Sequence, residues 1–222
     1  MKFFLVSHSI MSKIKFIDLF CGIGSFHHAF RSVGGFECVF ACDIDKYAKE
    51  SYRLNYGMEP AGDIHDVATE DVPNHDILCA GFPCTSFSTI GNRAGFNCEP
   101  GMLFFEILRI IDGKNPKVVV LENVFGLLSH AGGETFEKII FELKKRDYDV
   151  KWELLKCSDY GIPQMRRRLF IIASKKDAMV DVDKLFELDE YKKDTTLTEF
   201  YKGKNLSKNM RIPFVLGHTT PK

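Results

Sequence analysis

The chain has 222 residues, 45% hydrophobic and 27% charged, which suits one domain with a good core and a peripheral tail. Lys+Arg and Asp+Glu number 30 each, so the formal net charge is +0 and the basic excess usual in a nucleic-acid binder is absent. A nucleic-acid partner is therefore expected to be held by a local patch or by another subunit.

The opening MKFFLVSHSI imitates a signal peptide, but its apolar stretch is short, Ser7, His8 and Ser9 break it, and no cleavage triplet follows. Residues 1–13 are read as a leader. No apolar run is long enough to span a membrane. The cysteines (Cys21, Cys38, Cys42, Cys79, Cys84, Cys98, Cys157) form no CxxC pair and are odd in number. Neither a disulfide framework nor a zinc site fits them; reduced thiols in the cytoplasm do.

KIKFIDLF predicts a first strand, then a glycine turn, then a helix over SFHHAFRSV with Phe26, Phe30 and Val33 on one face. Gly34-Gly35 ends that helix and FECVFACD is the next strand. Asp45 is placed to cap a helix with Tyr47, Ser51 and Leu54 on one side, ended by Asn55 to Gly57. A short third strand is expected before Gly62. HDILCAG and PKVVVLENV are continuous apolar runs, the pattern of buried parallel strands. Between them GMLFFEILRIID places Leu103, Ile107 and Ile111 at helical spacing. ETFEKIIFELKKR turns Phe136, Ile139, Ile140 and Leu143 to the core, with acids leading and bases trailing as the helix dipole prefers. VKWELLKC and RLFIIAS are expected to pair around YGIPQMRR. The pattern is α/β: a doubly wound Rossmann-like sheet, mostly parallel, with an antiparallel strand near one edge. The domain is expected over 14–175, with 176–222 a charged tail or the start of a region that continues or docks elsewhere.

Ligands collect beyond the carboxyl ends of such strands, so the polar residues there form one candidate site. The first strand leads into Asp18-Leu19-Phe20-Cys21-Gly22-Ile23-Gly24, which has GxG but not GxGxxG, because His27 stands at the third place. Asp43 ends the second strand where ribose hydroxyls bind, and Asp63 is placed to accept from an adenine amino group. Each aspartate reads equally well as a turn or helix-cap residue. Together they suit a nucleoside cofactor without a pyrophosphate better than a dinucleotide.

Cys84 follows Pro83 and precedes Thr85, Ser86 and Ser88. An arbitrary cysteine is most often a packed thiol; this rigid, polar setting favours a nucleophile. An unperturbed thiol of pKa about 8.5 is roughly one-tenth thiolate near pH 7.5, so nearby arginines are expected to activate it. Glu122, ending an apolar strand, either pairs with a base or carries a proton to a bound ring. Arg166, Arg167 and Arg168 read as a generic basic run, or, by alternation in an extended segment, as Arg166 and Arg168 facing one way and Arg167 the other.

With these residues assembled, the chain resembles the DNA cytosine-C5 methyltransferases, the bacterial modification enzymes. DLFCGIGSF, CDID, GDI, GFPCTSFS, GMLFFE, ENV and YGIPQMRRR stand in the family's order between Ile14 and Ala173. The resemblance implies S-adenosyl-L-methionine as cofactor. Phe20, Gly22 and Gly24 would line its pocket, Asp43 would hold the ribose, Ile44, Asp63 and Ile64 the adenine, and Leu103 would add an apolar wall. Cys84 would add to C6 of a flipped-out cytosine, Glu122 would contact N3 and the exocyclic amine, and Arg166 and Arg168 would hold the base and the carboxylate. Thiolate addition makes C5 nucleophilic enough to take the methyl group, and loss of the C5 proton then expels Cys84. No metal is implied.

Two positions depart from the family pattern: Ser25 stands for a frequent second glycine and Thr85 for the usual glutamine. No target-recognition domain and no glycine-asparagine closing segment is found before Lys222. The expected partners are therefore double-stranded DNA and a second polypeptide supplying recognition and closure, within a restriction-modification system. The alternatives are a tRNA cytosine-C5 methyltransferase and an inactive, truncated cofactor-binding fragment.

Overall fold

β1 (Ile14–Leu19), β2 (Phe36–Cys42), β3 (Ile77–Ala80), β4 (Val118–Val124), β5 (Tyr148–Lys156) and β6 (Arg167–Lys175) form one six-stranded sheet in the order β2-β1-β3-β4-β6-β5. The computed structural model describes residues 12–83, 102–178, 180–182, 184–187 and 192. The described residues fall into two units, the sheet with its helices and a second unit containing residues 156–166. β2, β1, β3 and β4 run parallel to their neighbours, and β6 lies antiparallel to β4. β2 lies on one side of β1 and β3 on the other, so the strand order reverses at β1, where a doubly wound sheet opens its ligand crevice.

In β3, Leu78, Cys79 and Ala80 are all at 0% exposure, as a continuous apolar run in a parallel sheet requires. α3 (Met102–Lys114) buries Phe104, Ile107, Leu108, Ile110 and Ile111, a broader stripe than the three expected positions; Leu103 packs partly buried against the same core. Each such side chain contributes roughly 1.5–3 kcal/mol of hydrophobic stabilisation. Arg109 of α3 donates to the Ile64 and Val67 carbonyls and to Thr69 Oγ1, tying the short turns after β2 to the helix. α4 (Glu134–Lys144) buries Ile139 and Leu143, with Phe136 and Ile140 half-buried beside them, as its periodicity predicts.

Three expectations need correction. α1 (Ser25–Val33) buries no residue fully; Phe30 packs on the Phe16 and Phe36 rings, but Val33 is 77% exposed. α2 (Lys46–Tyr56) starts at its Asp45 cap and ends at left-handed Gly57 as expected, yet Tyr47 and Leu54 face solvent. Its inner stripe is Ala48, half-buried, then Tyr52, fully buried, and Tyr56; the Tyr52 hydroxyl is satisfied by His27 and Cys38, which lets the ring go inside. The third strand is a single parallel bridge between Cys42 and Ala61. Pro60 has no N–H to give a ladder, and the pairing stops at one residue.

Candidate active site

The register places the ends of three strands in one row with the middle of β4. Cys42, Leu19, Ala80 and Leu121 are consecutive partners across β2, β1, β3 and β4. The residues that follow them form a second row about 15 Å long at the usual strand spacing of about 4.8 Å: Asp43, Phe20 and Gly81 just past their strands, and Glu122 two residues before the end of β4.

At β1 the chain turns sharply. Phe20, Gly22 and Gly24 take positive φ of 55°, 52° and 91°. Such a φ is natural for glycine; for a bulky aromatic it costs on the order of 1–3 kcal/mol, and Phe20 is half-buried against the core. Among the described residues nothing lies within 4 Å of where a Cβ on Gly22 would sit, so they leave space above the turn. Gly24 has no such room: a Cβ there would collide with the Tyr56 ring and come within 2.9 Å of Tyr52.

Asp43 joins the two loops. Its Oδ2 accepts the Gly22 N–H at 2.7 Å and its Oδ1 accepts the Asp45 N–H at 2.8 Å, which fixes the carboxylate at the pocket's edge. Ile44 beside it is 77% exposed, an apolar side chain offered to solvent. Asp63 accepts from the His65 N–H at 3.0 Å and sits 2.7 Å from His65 Nδ1; the backbone amide, aided by that ring, holds its carboxyl below the usual range. Ile64 differs from its neighbours: the whole residue is only 2% exposed in the core, and its carbonyl accepts from Arg109 at 3.1 Å, so its expected contact with adenine has no exposed surface behind it.

At β4, Glu122 Oε1 lies 2.8 Å from Arg168 Nε, each side chain 24% exposed. The pair is diagonal across antiparallel strands, since Val124 faces Arg168 and Glu122 faces Phe170. A Cβ on Gly81 would stand 3.6 Å from Glu122 Oε2, so the loop after β3 passes close to that carboxylate. Asn123 secures the passage: it is 2% exposed, and its Nδ2 donates to the Phe82 carbonyl at 2.9 Å. Cys84, two residues further on, lies outside the described residues. Arg166 belongs to the second unit, where it is exposed and its carbonyl accepts from the Cys157 N–H.

Several participants had no assigned role in the sequence. Asn123 is the polar residue in an apolar strand, and that contrast was its signal. Asp18 is 1% exposed with neither carboxyl oxygen hydrogen-bonded among the described residues; burial raises it well above the usual carboxylate range, the Asp43 charge adds to this, and the His27 amide only partly opposes it. His27, Tyr52 and Tyr56 surround the glycine turn. A cavity of about 520 Å³ lined by His28, Arg31, Ser32, Asn55 and Tyr56 includes none of the expected site residues. Among the described residues no group of three or more His, Cys, Asp or Glu could hold a metal ion, and no helix is long and apolar enough to cross a membrane.

A family model described as C-5 cytosine-specific DNA methylase matches residues 14–218. The chain is 43% identical over 192 residues to Type II methyltransferase M.HhaI of Haemophilus parahaemolyticus, covering 85% of this chain and 58% of that protein. With Type II methyltransferase M.MspI of Moraxella sp the identity is 48% over 163 residues, covering 73% and 39%. Among solved structures, the Dnmt2 methyltransferase of S. pombe superposes with a TM-score of 0.66 at 25% identity, covering 82% of this chain and 57% of that one. The chain thus spans about half the length of the curated relatives it matches. By the family model and these relatives, the chain belongs to the C-5 cytosine-specific DNA methylase family.

Proposed function

We propose that the protein carrying this chain is a DNA (cytosine-5)-methyltransferase of the restriction-modification type that uses S-adenosyl-L-methionine. The observation that carries this reading is the single row of Asp43, Phe20, Gly81 and Glu122, which sets a nucleoside-sized cradle beside a carboxylate-guanidinium pair.

The residues fit the cofactor. Space over Gly22 among the described residues, an anchored Asp43 carboxylate and the exposed Ile44 side chain suit the ribose and the adenine face, with Asp63 beyond them and Leu103 as an apolar neighbour. When bound, S-adenosyl-L-methionine supplies a sulfonium methyl group. Cys84 attacks C6 of a cytosine turned out of the duplex, which lends C5 its electrons. Glu122 meets N3 and the exocyclic amine and offsets the charge that the addition places on the ring. Arg168 holds Glu122 in orientation, and Arg166 contributes a second cation to the base. The Asn123 amide, by fixing the Phe82 carbonyl, holds the backbone that leads into Cys84.

The test is transfer of labelled methyl groups to duplex DNA. Label in 5-methylcytosine, abolished by Cys84→Ser with donor affinity nearly unchanged, is expected. Glu122→Gln is expected to lower kcat by roughly 10²–10⁴. Label in tRNA alone, or donor binding lost with Cys84→Ser, overturns the reading.

A further inference from the structure

The cofactor turn is gripped from two sides. One grip is Asp43, which takes the Gly22 amide. The other comes from α2, where the Tyr56 hydroxyl donates to the Gly24 carbonyl at 2.9 Å. The Tyr56 ring is itself held: His27 stacks on it with centroids 3.9 Å apart and planes 13° from parallel, and Tyr52 meets it edge-on at 4.8 Å. Tyr52 is in turn fixed through its hydroxyl, 2.8 Å from His27 Nδ1 and 3.4 Å from Cys38 Sγ. The contact between Gly24 and these rings leaves no space for a side chain.

We propose that Tyr56 is a positioning residue for the methyl-donor pocket, acting through the Gly24 carbonyl and supported by His27 and Tyr52. The inference rests on the turn being the donor site. A turn with Gly22 and Gly24 at positive φ samples many conformations when unrestrained. A hydrogen bond that fixes one peptide plane before the ligand arrives removes an ordering cost from binding. The hydroxyl needs no ligand contact to do this. Its effect belongs to ground-state and transition-state binding alike, so it appears in affinity and not in turnover.

Tyr56→Phe keeps the ring, the stacking and the packing, and removes only the donor. Calorimetry with S-adenosyl-L-methionine is expected to show Kd raised about tenfold, equivalent to about 1.4 kcal/mol. Hydrogen exchange at the amides of residues 22–24 in the ligand-free protein is expected to accelerate. In the methylation assay KM for the donor rises while kcat holds. Tyr47→Phe, on the exposed side of the same helix, is the control and leaves all three unchanged. Asp43→Ala separates the two ideas. If it weakens donor binding while Tyr56→Phe leaves affinity and exchange as they were, the positioning role is overturned and the donor site stands. If neither variant alters affinity, the turn is not the donor site, and the inference falls with that assignment. A fall in kcat at constant KM for Tyr56→Phe also overturns it.

Discussion

Asp18 carries a carboxyl into the interior with neither oxygen making a well-formed hydrogen bond among the described residues. Burial, with a further contribution from Asp43, opposes its ionisation against a partial offset from the His27 amide. The sign of its pH linkage follows. The folded-state pKa lies above the unfolded value, so the folded chain binds the proton more tightly. Stability is fully present below the unfolded value and is lost as pH rises through the folded one. Between those two values each pH unit costs about 1.4 kcal/mol, because the unfolded chain has released a proton that the folded chain still holds. Asp18→Asn cannot ionise, so its melting temperature relative to the parent is expected to improve as pH rises above the usual carboxylate range of about 4. A difference that stays constant over that rise would show that Asp18 ionises normally. At this scale the sequence exposed Cys84, Glu122 and the aspartates through their places at strand ends. It hid Tyr56, His27 and Asp18, whose parts depend on side chains from α1, α2 and β1 meeting in space.

Elements with strong periodicity were legible. α4 and β3 behave as their apolar spacing demands, and the Asp45 cap and Gly57 stop hold α2 where local chemistry puts them. The inner face of α2 was not legible, because Tyr, Ala and Leu are all apolar enough to be inside. What decided it was a hydrogen-bond partner for the Tyr52 hydroxyl, His27, which lies on another helix. Helix-to-helix ties were equally hidden. Just beyond the end of α4, Arg146 forks onto Asp112 of α3, at 2.6 and 2.8 Å, and onto Glu142 at 2.7 Å. Hydrogen bonds from Arg146 and Lys138 hold Asp112 and Glu142 below their usual range. Arg146→Met is expected to cost roughly 1 kcal/mol at neutral pH, discounted for solvent screening. Depressed carboxyl groups stabilise above their unfolded pKa and lose that contribution as pH falls through the folded one. The gap between variant and parent is therefore expected to narrow in denaturant melts below about pH 4. A gap independent of pH would assign Arg146 to packing by its aliphatic stem.

For the whole molecule the balance of charge carries a consequence. With 30 bases against 30 acids, this 222-residue chain has no broad electrostatic footprint for a polyanion. Alone, it is expected to bind duplex DNA weakly, with a shallow dependence of affinity on salt in fluorescence anisotropy. A slope matching six or more phosphate contacts, about −5 or steeper, would reveal a basic surface that the totals conceal. Fold class and family followed from the sequence because the order of strand, turn and strand-end residues is written along the chain, and local periodicity needs no knowledge of distant contacts. The tertiary structure decided which strand ends share a row, that Glu122 meets Arg168 from an antiparallel neighbour, and that the glycine turn is held by tyrosines of a later helix. Those are non-local pairings. They arise only once the sheet's register brings residues tens of positions apart within hydrogen-bonding distance.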